Sequence, residues 1–334
     1  MTDPFGSPKQ SMPAADARGS LVIGLVNNMP DAALETTQRQ FTELLTAASS
    51  RYDVRLRLFS FPELIRSEAG RAYVAEHYEP IDELWRGEFD GLIVTGAEPR
   101  TAALPNEIYW PSLTRLIDFA NASATPTVWS CLAAHAAVLY LDGIQRRPLP
   151  EKITGVFRCN RMGASRLVVG LPSSWCVPHS RLNTLDPAPL VAAGYEIASL
   201  SDEGGVDTFL RRKPALFVFF QGHPEYDAGA LFREYRRDVG RFLTGTMERY
   251  PEMPRGYFDD ATARSFTAFR ARAECQPSPE LLTDFPEENL RDKLTRNWAD
   301  VALRLYRNWL TAIARGRRSR DLLGAGASPA TRAS

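Results

Sequence analysis

Cysteine and histidine are scarce in this sequence. Its 334 residues hold four of each: Cys131, Cys159, Cys176 and Cys275, and His77, His135, His179 and His223. No CxxC pair and no regular cysteine framework occurs, and no histidine stands at metal-site spacing from a cysteine. A disulfide scaffold and a structural zinc are therefore not expected, and the thiols read as free in a reducing cytoplasm. An excess of one charge is missing too. Lys plus Arg equals Asp plus Glu, 40 each. That removes any electrostatic case for nucleic acid or an anionic membrane as partner. No apolar run approaches the about 18 residues that a bilayer span needs. The opening "MTDPFGSPKQSMPAADARGS" lacks a basic start followed by an apolar stretch, so no secretory signal is expected.

What is present is an ordinary globular composition, 44% hydrophobic and 24% charged. Residues 1–19 and 316–334 are rich in Pro, Ser, Ala and Gly and read as disordered tails around a single domain, 20–315. Within it, "LVIGLVNN", "YDVRLRLFSF", "FDGLIVTGA", "PTVWSC" and "PALFVFFQGHPEYD" read as strands. "DAALETTQRQFTELLTAAS", "YWPSLTRLIDFANAS", "LAAHAAVLYLDG", "AGALFREYRRDVGRFLTG" and "LTRNWADVALRLYRNWLTAIAR" read as helices. Alternation of the two implies an α/β fold: an open, mostly parallel sheet with helices on both faces. Such sheets bind ligands beyond the carboxyl ends of their strands. Those ends are Asn27/Asn28, Thr95/Gly96, Cys131 and Gly222/His223.

Cys131 stands where a buried strand stops and a helix starts. A thiol there sits near a helix N-terminus, which favours the thiolate. The backbone N–H of Leu132 is then placed to donate to an oxyanion. The plain alternative is a small buried hydrophobe. "QGHPEYD" bears on that choice. His223 can face the thiol as base while Glu225, two residues on, orients the ring. Both elements fall at strand ends on one edge, which favours Cys131–His223–Glu225 catalysis.

A cysteine at a strand–helix turn with a late "HPE" resembles class I glutamine amidotransferase-like (flavodoxin-like) domains. "NNMPDAALETTQ", "DGLIVTGAEP", "YWPSL", "PLPEKITGVF", "PHSRLN", "GHPEYDAGALFREYRRD" and "RNWL", in this order, look like homoserine O-acyltransferases of the O-succinyltransferase type. The resemblance implies acyl transfer from a CoA thioester to the hydroxyl of homoserine through an acyl-cysteine, in methionine biosynthesis. It implies acyl-CoA as cosubstrate with no bound cofactor, small-molecule partners only, a cytoplasmic location and a homodimer. It places the nucleophile on Cys131, the base on His223, its partner on Glu225, and acceptor binding on Lys152, Ser180 and Arg237.

The chain also departs from the family pattern. Ala32 stands where a lysine is usual near the oxyanion, which leaves backbone N–H groups such as that of Leu132 for the charge. "CLAAHAA" replaces "CWGAQAG", so His135 stands for a glutamine; a structural role or an acid–base one is open to it. The position that separates acetyl from succinyl donors aligns with Arg100, whose guanidinium suits the distal carboxylate of a succinyl group. The alternatives are an O-acyltransferase for another hydroxy-amino acid such as serine, a glutaminase-type amidotransferase with the same triad, and a catalytically weak binding or regulatory relative.

Overall fold

The computed structural model describes residues 19–287, 290 and 293–325. Of the tail expected at 1–19, residues 1–18 lie outside the described residues, as do 326–334, while Gly19 opens the first strand.

Among the described residues the strands form one nine-stranded sheet of order β2-β1-β3-β4-β9-β8-β7-β5-β6. β1 (Gly19–Val26), β2 (Tyr52–Phe59), β3 (Gly91–Val94), β4 (Thr127–Ser130) and β9 (Phe217–Phe220) pair in parallel. β3, β4 and β9 are buried at every residue, which is why β3 and β9 read as short continuous apolar runs. α1 (Asp31–Ala48), with Phe41, Leu44 and Leu45, and α9 (Ala299–Ala325), with Tyr306 and Trp309, cover one face. α4 (Trp110–Ala122), with Leu113, Leu116 and Ile117, and α5 (Leu132–Asp142), with Ala133, Ala137 and Val138, cover the other. The parallel half of the sheet, covered on both faces, is as the alternation predicts.

Short helices α2 (Glu68–His77) and α3 (Ile81–Arg86) lie between β2 and β3. The other half of the sheet is an antiparallel wing of β5 (Arg147–Arg161), β6 (Ser174–Thr184), β7 (Glu196–Ser201) and β8 (Gly205–Arg211), with α6 (Pro187–Ala192) between β6 and β7. Sequence patterning does not reveal this wing. β5 carries Pro148 and Pro150 and β6 carries Pro178, and prolines argue against interior strands. α7 (Ala230–Leu243) and α8 (Asp260–Cys275) build a separate apolar cluster around Tyr235, Phe266 and Phe285.

The C-terminal tail expected from Gly316 needs correction, since α9 continues to Ala325. One interior glycine costs a helix only about 1 kcal/mol, and "RRSRDLL" beyond it consists mainly of good helix formers. Among the described residues no helix is long and apolar enough to cross a membrane.

The α7–α8 region is tied to the wing at one crowded point. Arg255 N–H donates to Thr154 O (3.0 Å), and Val156 N–H donates to Arg255 O (2.8 Å). Gly155 lies between these bonds at φ +141°, and a Cβ there would fall 2.5 Å from Arg255 N. Only glycine combines that φ with that approach. Gly155→Ala is expected to lower stability by about 1–3 kcal/mol and to speed proteolytic cleavage around residues 250–258. An unchanged denaturation midpoint with an unchanged cleavage pattern would remove this constraint.

Candidate active site

The strand ends picked out from the sequence do meet. Asn28 N–H, after β1, donates to Thr95 Oγ1, after β3 (2.8 Å). Cys131 N–H, after β4, donates to Phe220 O, the last residue of β9 (2.7 Å). Gly96 packs so near the elbow that a Cβ on it would meet Leu132 Cβ at 2.6 Å.

Cys131 is the residue before α5 and has φ 52°, ψ −114°. A non-glycine residue at positive φ is strained, and such strain persists where the surroundings over-determine it. Here the residue's amide is held by β9, and its carbonyl accepts from Ala134 N–H (3.0 Å) and His135 N–H (3.4 Å). The turn leaves the side chain partly exposed. Leu132 opens α5, so its amide has no partner in a preceding turn. That is the placement expected of an oxyanion donor.

His223 and Glu225 are both buried. His223 Nδ1 and Glu225 Oε1 lie 2.8 Å apart. Burial disfavours a charged imidazole, but the charges of Cys131 and Glu225 and the hydrogen bonds to both raise His223 well above the ordinary histidine value. The ring therefore faces sulfur on one side and carboxylate on the other, and all three residues named from the sequence come together. The loop that carries them is fastened from several directions. His223 N–H donates to Pro178 O (2.8 Å) in β6, and Ser130 Oγ donates to Glu225 Oε1 (3.2 Å). Arg296 Nε (2.8 Å) and Trp298 Nε1 (2.9 Å) donate to Tyr226 O, and the Tyr226 ring stacks on His223 at 4.1 Å between centroids. Gly222 admits the wing: a Cβ there would lie 2.6 Å from both Asp207 Oδ1 and Val177 Cγ1.

Lys152, Ser180 and Arg237 also converge, through two carboxylates that sequence reasoning missed. Lys152 Nζ reaches Asp238 Oδ2 (2.7 Å) and Glu234 Oε2 (3.4 Å). The hydroxyls of Ser180 and Tyr226 donate to Glu234, and Arg237 Nε donates to Asp238 Oδ1 (2.9 Å). Burial alone would raise Glu234; the Lys152 charge and the two hydroxyls hold it below the ordinary carboxylate value. Asp238 is likewise lowered, by Lys152 and Arg237 against burial. A signal was present: Leu231, Tyr235, Asp238 and Val239 form the buried stripe of α7, and an aspartate within such a stripe needs a cationic partner.

The departures from the family pattern fall as follows. Ala32 is exposed in the first turn of α1. Arg100 is exposed; its backbone N–H donates to Glu107 Oε1 (2.8 Å), and its side chain has no ionic partner among the described residues. His135 is buried, with Nε2 2.9 Å from Gln221 Oε1. Burial, with Arg181 and Arg146 nearby, lowers it to about 3, so the ring is neutral at ordinary pH and serves structure rather than proton transfer.

Folding also assembles what spacing hides. Ligand atoms of Cys159, His179 and Asp207 lie within 4.8 Å of one another in the wing. The donor set does not favour a metal. Arg181 Nε donates to His179 Nδ1 (3.4 Å), so the neutral ring carries its proton on Nε2 and turns a donor toward Asp207 Oδ1 (3.5 Å). Burial and Arg181 keep His179 neutral, far below the ordinary value.

A partly exposed cysteine on a strained strand–helix elbow, beside a buried His–Glu pair at the carboxyl edge of parallel strands, is an arrangement of the kind that nucleophilic acyl transfer uses. Residues 8–317 match the family described as homoserine O-succinyltransferase. The chain is 49% identical over 292 residues to a homoserine O-succinyltransferase of Rhodopseudomonas palustris, covering 87% of this chain and 88% of the relative. It is 46% identical over 297 residues to the enzyme of that name from Bradyrhizobium japonicum, covering 89% and 91%. Among solved structures it is similar to a glutamine amido transferase from Methylobacillus flagellatus, with 15% identity, TM-score 0.48 and coverage of 87% and 94%. The chain belongs to the homoserine O-succinyltransferase family, and it is an acyltransferase.

The buried neutral histidines carry a pH consequence. For His135 the folded-state value lies near 3, below the unfolded one, so between these values the unfolded chain binds more protons. Stability is then complete above about pH 6.5 and falls on acidification, by up to about 1.4 kcal/mol per pH unit for that residue. His135→Gln keeps a polar group toward Gln221 and removes the titration. Denaturant melts between about pH 7 and pH 5 are expected to show a shallower loss in the variant; equal slopes would contradict the assignment.

Proposed function

We propose that the protein transfers a dicarboxylic acyl group, succinyl, from its CoA thioester to the hydroxyl of L-homoserine through an acyl-Cys131 intermediate, a step of methionine biosynthesis. The observation that carries this reading is the Cys131–His223–Glu225 arrangement at the elbow, joined to a family match over most of the chain. The Cys131 sulfur attacks the thioester carbonyl, the new S–C bond forms, the old one breaks, and coenzyme A thiolate leaves with the proton from His223. In the second half, His223 Nε2 takes the proton of the acceptor hydroxyl as its oxygen attacks the acyl-cysteine. The S–C bond breaks, the ester departs, and the thiolate is restored. Both tetrahedral intermediates carry an oxyanion, and the Leu132 amide is its donor. Glu225, on Nδ1, holds the tautomer and stabilises the imidazolium.

The acceptor bears an ammonium and a carboxylate, and the platform around α7 offers groups for each. Glu234 and Asp238 suit the ammonium; Arg237, half outside its pair with Asp238, suits the carboxylate.

Incubation with succinyl-CoA followed by intact-mass measurement is expected to show one succinyl adduct, absent in Cys131→Ala. Glutamine hydrolysis with no adduct would favour the amidotransferase reading instead. In steady state, Glu234→Gln is expected to raise the KM for homoserine about tenfold or more, since a charged partner is lost, with kcat changed less. An unaltered KM would detach Glu234 from acceptor binding.

A further inference from the structure

Arg146 is a second guanidinium beside the loop that carries Arg100. The loop from β3 to α4 runs past the elbow and is organised by the buried Glu107, whose Oε1 accepts from the Arg100 amide (2.8 Å), the Thr101 amide (2.7 Å) and the Thr101 hydroxyl (2.8 Å). Tyr109, further along the loop, is 4% exposed, and its phenol oxygen has no hydrogen-bond partner. Tyr109 lines a crevice together with Thr95, Gly96, Ala97, Leu132 and Ala133, the same residues that flank the oxyanion donor. Arg146, just past α5, reaches the same loop. Its Nη2 donates to Ala102 O (3.4 Å), while its Nη1 is buried with no partner. Its charge is felt at Tyr109, Glu107 and Cys131.

A buried guanidinium N–H and a buried phenol O–H without partners each cost free energy, and a carboxylate accepts from either kind of donor. Offsetting Glu107 does not account for Arg146. No ion pair joins the two among the described residues, and Glu107 Oε1 already accepts three hydrogen bonds. Arg181, whose charge also reaches Cys131, is committed to Gly204 O, Asn183 O and His179. We infer that Arg146 and Tyr109 bind the distal carboxylate of a dicarboxylic acyl group held on Cys131, and so set donor choice in place of Arg100. This rests on the acyl-cysteine reading above. A succinyl group carries its carboxylate two methylenes beyond the thioester carbon, whereas an acetyl group has nothing to offer these residues.

The test is the rate of adduct formation from succinyl-CoA and from acetyl-CoA in the wild type, Arg146→Gln, Tyr109→Phe and Arg100→Gln, followed by intact mass. Arg146→Gln is expected to slow succinylation about 10- to 100-fold while acetylation changes little; acetylation also reports that the variant is folded. Tyr109→Phe is expected to shift the same ratio in the same direction by less, and Arg100→Gln to leave it in place. If Arg146→Gln does not fold, Arg146→Lys and Tyr109→Phe carry the comparison. Equal losses with both donors, or a ratio that moves only in Arg100→Gln, overturn the assignment and leave the acyl-cysteine standing. No adduct from either donor in the wild type overturns both.

Discussion

The hydrogen bond from the Cys131 amide to the Phe220 carbonyl is the constraint on which the site depends. It joins the end of β4 to the end of β9, and Cys131 and the His223–Glu225 pair leave from those ends. On one side the chain turns through a positive φ into α5, which presents the sulfur and the Leu132 amide together. On the other, three residues past Phe220, stands His223. The register of one parallel strand pair therefore sets the distance between Cys131 and His223. Slippage by one residue would turn every side chain of β9 to the opposite face. Since β4 and β9 are buried throughout, such a slip is strongly disfavoured.

The antiparallel wing does for the histidine what the parallel half does for the cysteine. Pro178 O, Asp207 and Val177 hold the 221–223 backbone, and Arg296 and Trp298 close over Tyr226 from before α9. The wing also brings Lys152 and Ser180 to α7, where Glu234 and Asp238 wait. Buried ion networks of this kind contribute little net stability, because desolvation offsets much of the attraction. Their value is positional: each hydroxyl and ammonium has a partner, so the platform has one arrangement rather than several.

The parallel core was legible because β1, β3 and β9 carry short apolar runs, β2 alternates apolar with charged residues, and α1 has a clear stripe in Leu34, Phe41, Leu44 and Leu45. The meeting of Cys131, His223 and Glu225 was legible because two strand ends carry a cysteine and a His-Pro-Glu. The wing was not, because β5 and β6 contain prolines and long polar stretches whose pairing exists only in three dimensions. For the same reason Asp207 and the Cys159–His179 contact were invisible: their partners are on other strands. Lys152, Ser180 and Arg237 could be named by resemblance, but what binds them together, Glu234 and Asp238, required knowing which face of α7 is buried.

The exposed Ala32 raises the question of what offsets negative charge at the sulfur and the oxyanion. Two arginines supply it from elsewhere. Arg181, 4% exposed in β6, and Arg146, past α5, both attract charge on Cys131. They differ in what else they do. Arg181 is spent on backbone carbonyls and His179, so its field at the thiol is constant whatever is bound. Arg146 keeps a buried donor without a partner, which on the proposed reading is the donor that the acyl group meets. A fixed charge lowers the barrier for every donor alike, whereas a charge that finds its partner only in one substrate discriminates. On the proposed reading, the positive charge absent from position 32 is replaced by two residues, Arg181 for general electrostatic support and Arg146 for donor recognition.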